Sequence, residues 1–519
     1  MRLTRTDGWW QNEPVNLPVG SEPIGYAWMV KRRSLDVMPH HRWSFVGAVG
    51  SRTRIEFQQI AWEVFPKRYL QAGLCDQLEF ALRYDGLNLE ILSAWFATLA
   101  LDEIEQLEAW VRASPTSAYA RRAWFLFEFL TGRLLDLPDS ARAPYVPLAD
   151  PAEYYVRIPA KRSRRHRVDD NLLGDVRYCP LVRRTPRLKS GEELSLHEEI
   201  RALYALHDAD LFDRAANFLF TKETRSSFEL ESERPSTDRT RRFVAVLRSI
   251  ADQPALGKTE LVRLQNLIVT DRRNRDLDWR RTQVYVSLGR EVHFIAPRPD
   301  ELPDLMSGWL EMVGQLVECE VQPVVAAAVA SFGFVYLHPF NDGNGRLHRL
   351  LIHYVLARRG FVAPGLLIPV SATMLARKRE YDDCLEQFSQ PLMVRIPYEM
   401  DSMGIVEVAR DSSSYYRYPD LTAQTEALLD WLEVTVRTEM PQELRFLLAW
   451  REARQRLDQE VELPDPKANH FIARCIEGKG RLSKTRRDRD FGDFTPDELS
   501  RMEEAVRVAM RAQGMEVIP

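Results

Sequence analysis

The chain has 519 residues, 45% of them apolar and 28% charged, and a formal charge of −4. That length predicts about two to four domains rather than a single core, and the composition is that of a soluble globular protein. So small a net charge argues neither for nor against nucleic acid, and any basic surface has to be argued locally.

"MRLTRTDGWWQNEPVNLPVG" at the start lacks an apolar signal region, and no later window offers about eighteen uninterrupted apolar residues. A cytoplasmic location without a membrane partner is expected. The cysteines, Cys75, Cys179, Cys319, Cys384 and Cys475, are scattered and form no C-x-x-C pair. Buried free thiols are expected in place of a zinc site or a disulfide framework.

Residues 51 to 134 read as mostly helical, with apolar residues three and four apart in "LCDQLEFALRYDGLNLEILSAWFATLALDEIEQLEAWV" and "SAYARRAWFLFEFLTG". Ser114-Pro115-Thr116 opens one helix and Gly132 stops it. From 135 to 192 the periodicity fades into a Pro-rich, charged, partly extended connector. Helical spacing returns in "SLHEEIRALYALHDADLFDRAANFLF", "TRRFVAVLRSIAD" and "GKTELVRLQNLIVT", and "TQVYVSLGREVHFIAP" predicts a β-hairpin turning at Gly289. "DELPDLMSGWLEMVGQLV" and "VQPVVAAAVASFGFVYL" are the next helices. The second is apolar nearly all round, as befits the centre of a bundle. A Pro-rich turn at "APGLLIPV" precedes a helix around "ATMLARKREYDDCLEQF". From about 420 onward the chain is helical and charged, with "GKGRLSKTRRDRDFGDF" as a basic loop.

The chemistry concentrates in "LHPFNDGNGRLHRLL", residues 337 to 351. Pro339 keeps its neighbour out of helical angles, so the next helix begins later. Asp342, Gly343, Asn344 and Gly345 suit a tight turn that leaves backbone N–H groups at the helix N-terminus, where with the helix dipole they make an anion site. Arg346 and Arg349, three apart, project together beside it, which points to a ligand with more than one phosphate. Asp342 next to such an anion is best explained as a Mg²⁺ ligand. His338 is the group able to take a proton near neutral pH.

At these residues the chain resembles the Fic family, whose signature H-P-F-x-[D/E]-G-N-G-R-x-x-R is filled at every specified position by His338, Pro339, Phe340, Asp342, Gly343, Asn344, Gly345, Arg346 and Arg349. The resemblance covers roughly residues 195 to 390. It implies a mainly α fold, with a Fic-type helical bundle and a short β-hairpin flap in residues 191–395. A mostly helical N-terminal domain with its connector would take residues 1–190, and a helical C-terminal domain 396–519. It implies transfer of AMP from ATP to a Ser, Thr or Tyr hydroxyl of a protein, with His338 as general base and Asp342 as Mg²⁺ ligand. The backbone of Gly343, Asn344 and Gly345 would cradle the α- and β-phosphates, and Arg346 and Arg349 would meet the β- and γ-phosphates. The hairpin at 282–296 resembles the flap on which the target protein, or the chain itself in self-modification, docks as an added strand. Tyr381 resembles the first tyrosine of a segment flanking the adenine, although the second is Asp382 here.

"SSFELESE" resembles the family's inhibitory [S/T]-x-x-x-E-[G/N] helix, with Ser227 and Glu231 four apart on one face. Its position upstream of the motif matches the N-terminally inhibited class, though Ser232 stands where Gly or Asn is usual. Glu231 would then face Arg349 and spoil γ-phosphate binding. Two alternatives keep the fold. One is removal of AMP, with the same glutamate positioning water. The other is phosphotransfer as in Doc-type kinases, which place a lysine where Gly345 stands and so fit less well. A third alternative is a nucleic-acid-binding regulator, suggested by "KRSRRHR" at 161–167 and "GKGRLSKTRRDRD" at 478–490.

Overall fold

The computed structural model describes residues 17–18, 20–57, 60–140, 143–205, 209–250, 256–269, 275–289, 291–363 and 365–518. It is mainly α-helical. Two compact units interleave along the sequence: one draws on residues 1–193, 252–359 and 379–428, the other on 194–251, 360–378 and 429–519.

The first unit opens with β1 (Glu22–Ile24), α1 (Tyr26–Arg33), β2 (Arg42–Gly47), β3 (Thr53–Phe57) and β4 (Ile60–Pro66), which form a sheet of order β1-β2-β4-β3. This corrects the helical expectation for residues 51 to 66. The central pair β2 and β4 runs parallel and is buried almost throughout, so neither strand shows the alternation that betrays a half-exposed sheet. Helices α2 (Leu74–Phe80), α3 (Leu89–Phe96), α4 (Leu101–Ala113) and α5 (Ala118–Thr131) complete its core with Trp43, Trp62, Trp95 and Trp124. Ser117 caps α5, one residue beyond the expected Ser-Pro-Thr start, and Gly132 ends it at φ 69°.

The connector is ordered: β5 (Val146–Pro147), β6 (Lys161–Ser163) and β7 (Val168–Asp170) form a sheet of order β5-β7-β6, and α6 (Pro186–Glu192) follows. In the second unit come α7 (Leu196–Ala205), α8 (Ala209–Leu230) and α9 (Thr237–Arg248). The chain then re-enters the first unit with α10 (Lys258–Ile268), the hairpin β8 (Tyr285–Leu288) and β9 (Glu291–Ile295), α11 (Leu302–Glu318), α12 (Pro323–Leu337) and α13 (Asn344–Arg358). The hairpin turns at Gly289 with φ 63°, as expected. Helix α12 is buried over nearly all its length and packs along α13, its apolar residues meeting neighbours on every side.

The helix expected around residues 371–388 divides into α14 (Val370–Ala376), in the second unit, and α15 (Lys378–Met393). After β10 (Tyr398–Met400), β11 (Val406–Val408) and α16 (Ser413–Arg417), α17 (Thr422–Val434) leads into α18 (Met440–Glu460), α19 (Asp465–Glu477), α20 (Lys484–Asp490) and α21 (Pro496–Ala512). Helix α20 lies inside the expected basic loop. No helix among the described residues is long and apolar enough to cross a membrane. The cysteines are free thiols, with Cys179, Cys384 and Cys475 buried and Cys75 and Cys319 half-buried.

Candidate active site

The site is the seam between α12 and α13. Helix α12 ends at His338, which adopts a left-handed conformation (φ 49°, ψ 58°) and closes the helix through its N–H to Phe334 O at 2.9 Å. A non-glycine residue held there costs about 1–2 kcal/mol, so the surroundings have to enforce it. The Nδ1 edge of the half-buried His338 ring lies 3.1 Å from Val335 O. A carbonyl can only accept, so Nδ1 is the donor, and in the neutral ring the lone pair is then on Nε2, the tautomer a general base needs.

Asn344, buried in the first turn of α13, folds the loop back on itself. Its Oδ1 accepts from Phe340 N at 3.1 Å, and its Nδ2 donates to Phe340 O at 2.8 Å. This bracing role was not apparent from the motif. Gly343 precedes it at φ 89°, and a Cβ there would lie 3.0 Å from a methyl of Val269, so both backbone and space require glycine. The N–H groups of Asn344 and Gly345 then open the helix and point out of its positive end.

Arg346 and Arg349 are both almost wholly buried. Arg346 Nη2 donates to Asp342 Oδ1 at 2.7 Å, and Arg349 Nη1 reaches Tyr381 Oη at 3.4 Å. The structure thus gathers His338, Asp342, Gly343, Asn344, Gly345, Arg346, Arg349 and Tyr381 into one place. Ser227, buried in the last turn of α8, and Glu231, exposed just past its end, belong to the second unit.

Mg²⁺ takes oxygen ligands, and near a nucleotide it is held by one or two carboxylates together with phosphate oxygens and water. Asp342 supplies the one carboxylate of the loop and is 33% exposed, so the donor set fits. Among the described residues no group of three or more His, Cys, Asp or Glu side chains gathers to hold a metal unaided.

The segment before the hairpin braces the same loop. Asp276 accepts from Asn341 N and Nδ2 at 2.9 and 2.7 Å, Thr282 Oγ1 donates to Asn341 Oδ1 at 2.9 Å, and Gln265 Nε2 donates to Asp342 O at 3.2 Å. The hairpin is anchored by Tyr285 Oη donating to Gly404 O at 2.8 Å and by Tyr416 Oη donating to Ile295 O. Phe294 at its base sits with its ring 6.2 Å from that of His338. None of these partners could be paired from sequence, because each joins segments far apart in the chain.

Comparison with known proteins matches residues 255–356 to the Fic/DOC family. The chain carries a Fic domain. Over 87 residues, 16% of this chain, it is 42% identical to a protein adenylyltransferase Fic of Culex quinquefasciatus. It is 38% identical over 92 residues, 18% of this chain, to one of Drosophila melanogaster. The Fic match spans only 16% and 17% of the length of those two relatives. A crystal structure of a Fic family protein from Desulfovibrio desulfuricans G20 is 19% identical, covers 59% of this chain and 84% of its own, and has a TM-score of 0.34.

Both basic runs outside the Fic domain are tied into the fold. Arg162 meets Asp169 at 3.4 Å, and Arg165 and His166 both reach Glu128 at 2.9 Å. In the C-terminal run, Arg486 pairs with Glu477 at 3.1 Å and Arg487 with the buried Glu503 at 2.6 Å.

Proposed function

We propose that the chain is a protein adenylyltransferase that transfers AMP from ATP to a hydroxyl of a protein, in the cytoplasm. The observation that carries this is His338, with Nδ1 tied to Val335 O, beside a glycine-built helix N-terminus flanked by Arg346 and Arg349. The name of the curated relatives supports it.

Nε2 of His338 takes the proton of a Ser, Thr or Tyr hydroxyl as its oxygen attacks the α-phosphorus, and pyrophosphate departs. The N–H groups around Gly343, Asn344 and Gly345 hold the α- and β-phosphates in line, and Arg346 and Arg349 meet the charge that grows on the leaving β- and γ-phosphates. Asp342 would hold Mg²⁺, which when bound supplies charge neutralisation between the phosphates. By resemblance Tyr381 would flank the adenine, although its hydroxyl meets Arg349 at 3.4 Å, on the side assigned to the γ-phosphate. The hairpin 282–296 offers an extended target segment, or another part of this chain, a strand to pair with. Ser227 and Glu231, which match the family's inhibitory pattern, would act as a brake on γ-phosphate binding.

The test is parallel incubation with α-labelled and γ-labelled ATP, with and without EDTA. Label on protein from the α-position alone, lost in EDTA and in Asp342→Ala, is expected. Label from the γ-position would replace adenylyl transfer by phosphotransfer, and release of AMP from pre-modified protein without forward labelling would replace it by removal.

A further inference from the structure

Arg280 is almost wholly buried just before the hairpin, and its side chain carries the charge without any carboxylate among its hydrogen bonds. Its Nε donates to the backbone oxygen of His338 at 2.8 Å, Nη1 to Thr282 O at 2.9 Å and Nη2 to Pro297 O at 2.5 Å. Its own backbone N–H donates to Pro339 O at 2.9 Å. Thr282 leads into β8 and Pro297 leaves β9, so one planar group grips both ends of the hairpin and the residue proposed as the base. Burial holds the guanidinium down to about 10, still charged at neutral pH. A fork of donors fixed in one plane can satisfy three divergent carbonyls, whereas an ammonium presents donors from a single point.

We propose that Arg280 is a positioning residue that couples the hairpin to His338, so that the strand receiving the target and the atom receiving the proton are set by one guanidinium. This rests on the adenylyl-transfer reading for its catalytic consequence, but the coupling itself is a property of the fold. The left-handed angles of His338 require an external hold, and the bond from Arg280 to its carbonyl oxygen supplies it at the strained residue. A shift of the base by about 1 Å relative to the docked hydroxyl is enough to lose on the order of 10²-fold in rate. The phosphate-binding residues 343–349 are not among the partners of Arg280. Its loss should therefore lower turnover without lowering ATP affinity.

The experiment compares wild type, Arg280→Lys and Arg280→Gln with Arg281→Lys, a change at the exposed neighbour. Hydrogen exchange is followed over residues 283–297 and 336–342, ATP affinity at equilibrium, and label transfer from α-labelled ATP. Both Arg280 variants should loosen the two segments together and lower kcat by roughly 10–100-fold, with the ATP dissociation constant near wild type and Arg281→Lys unchanged. Arg280→Gln serves alone should Arg280→Lys not fold. Loosening of one segment without the other, equal loosening in Arg281→Lys, or loss of ATP affinity in step with kcat would overturn the proposal. If neither wild type nor Glu231→Gly transfers label, the adenylyl-transfer reading falls, and the exchange data alone decide the coupling.

Discussion

Two short stretches of equal length, "KRSRRHR" at 161–167 with five Lys and Arg and "GNGRLHR" at 343–349 with two, have opposite structural meanings. In the first, side chains are absorbed by the fold: Glu128 receives Trp124 Nε1 at 2.6 Å, Leu135 N at 3.0 Å and both Arg165 and His166 at 2.9 Å. Burial alone would raise the Glu128 carboxyl, but the hydrogen bonds from Arg165, Trp124 and Leu135 overturn that and hold it below its ordinary range. In the second, the arginines stand on the first turns of a helix whose entry is built from Gly343 at φ 89° and the Asn344 brace. What separates the two sets of cations is the backbone beside them. Density of charge in the sequence says little.

The comparison breaks most visibly at His338. His338→Ala should lower label transfer by about 10²–10⁴-fold while leaving the melting temperature near wild type, and an active, folded variant would take the motif out of catalysis. Glu231→Gly is expected to raise self-labelling by more than about tenfold, equivalent to ~1.4 kcal/mol of transition-state stabilisation. Arg349→Ala in that background should cancel the gain, and unchanged labelling in Glu231→Gly would dismiss the brake. For the other stretch the expected signature is reversed. Arg165→Met strips a partner from buried Glu128 and should cost about 1–3 kcal/mol in denaturant unfolding, with transfer measured well below the melting temperature unaffected.

The smallest effect is a pH dependence. Because the folded value of Glu128 is depressed, its contribution is complete above the ordinary carboxyl value of 4.5 and is lost as pH falls through the lower folded value. Melting temperature should therefore fall more steeply in acid for wild type than for Glu128→Gln. Parallel curves would show that the cluster carries no linked proton.

The motif was legible because its residues are contiguous and each type has a separate chemical task, and the hairpin because Gly289 separates two alternating runs. The N-terminal sheet was hidden by its own burial: Trp43 to Gly47 and Ala61 to Pro66 are buried on both faces, which erases the period of two, while edge strand β3 is exposed along its whole length. Helix α20 was missed because its seven residues, KTRRDRD, contain no apolar stripe. Its hold on the fold comes from Arg487 bonding to Glu503 on α21. Asn344 and Arg280 share a different obstacle. Their partners are backbone atoms, which carry no side-chain identity to read.

The interleaving of the two units also has a consequence for synthesis on the ribosome. Helix α8 packs against α14 and α18, with Lys222 reaching Glu439 at 3.0 Å and Glu443 at 2.5 Å, and Glu223 accepting from Ser371 N at 2.9 Å. Roughly 200 residues must be added after α8 before α18 begins, a wait of roughly 10–40 s at ordinary elongation rates. Until then the side of α8 that meets α18 is without its final cover, while the hairpin, α12 and α13 are made well before α18. The nascent chain thus completes residues 338–349 before the segment carrying Glu231 has its lasting support.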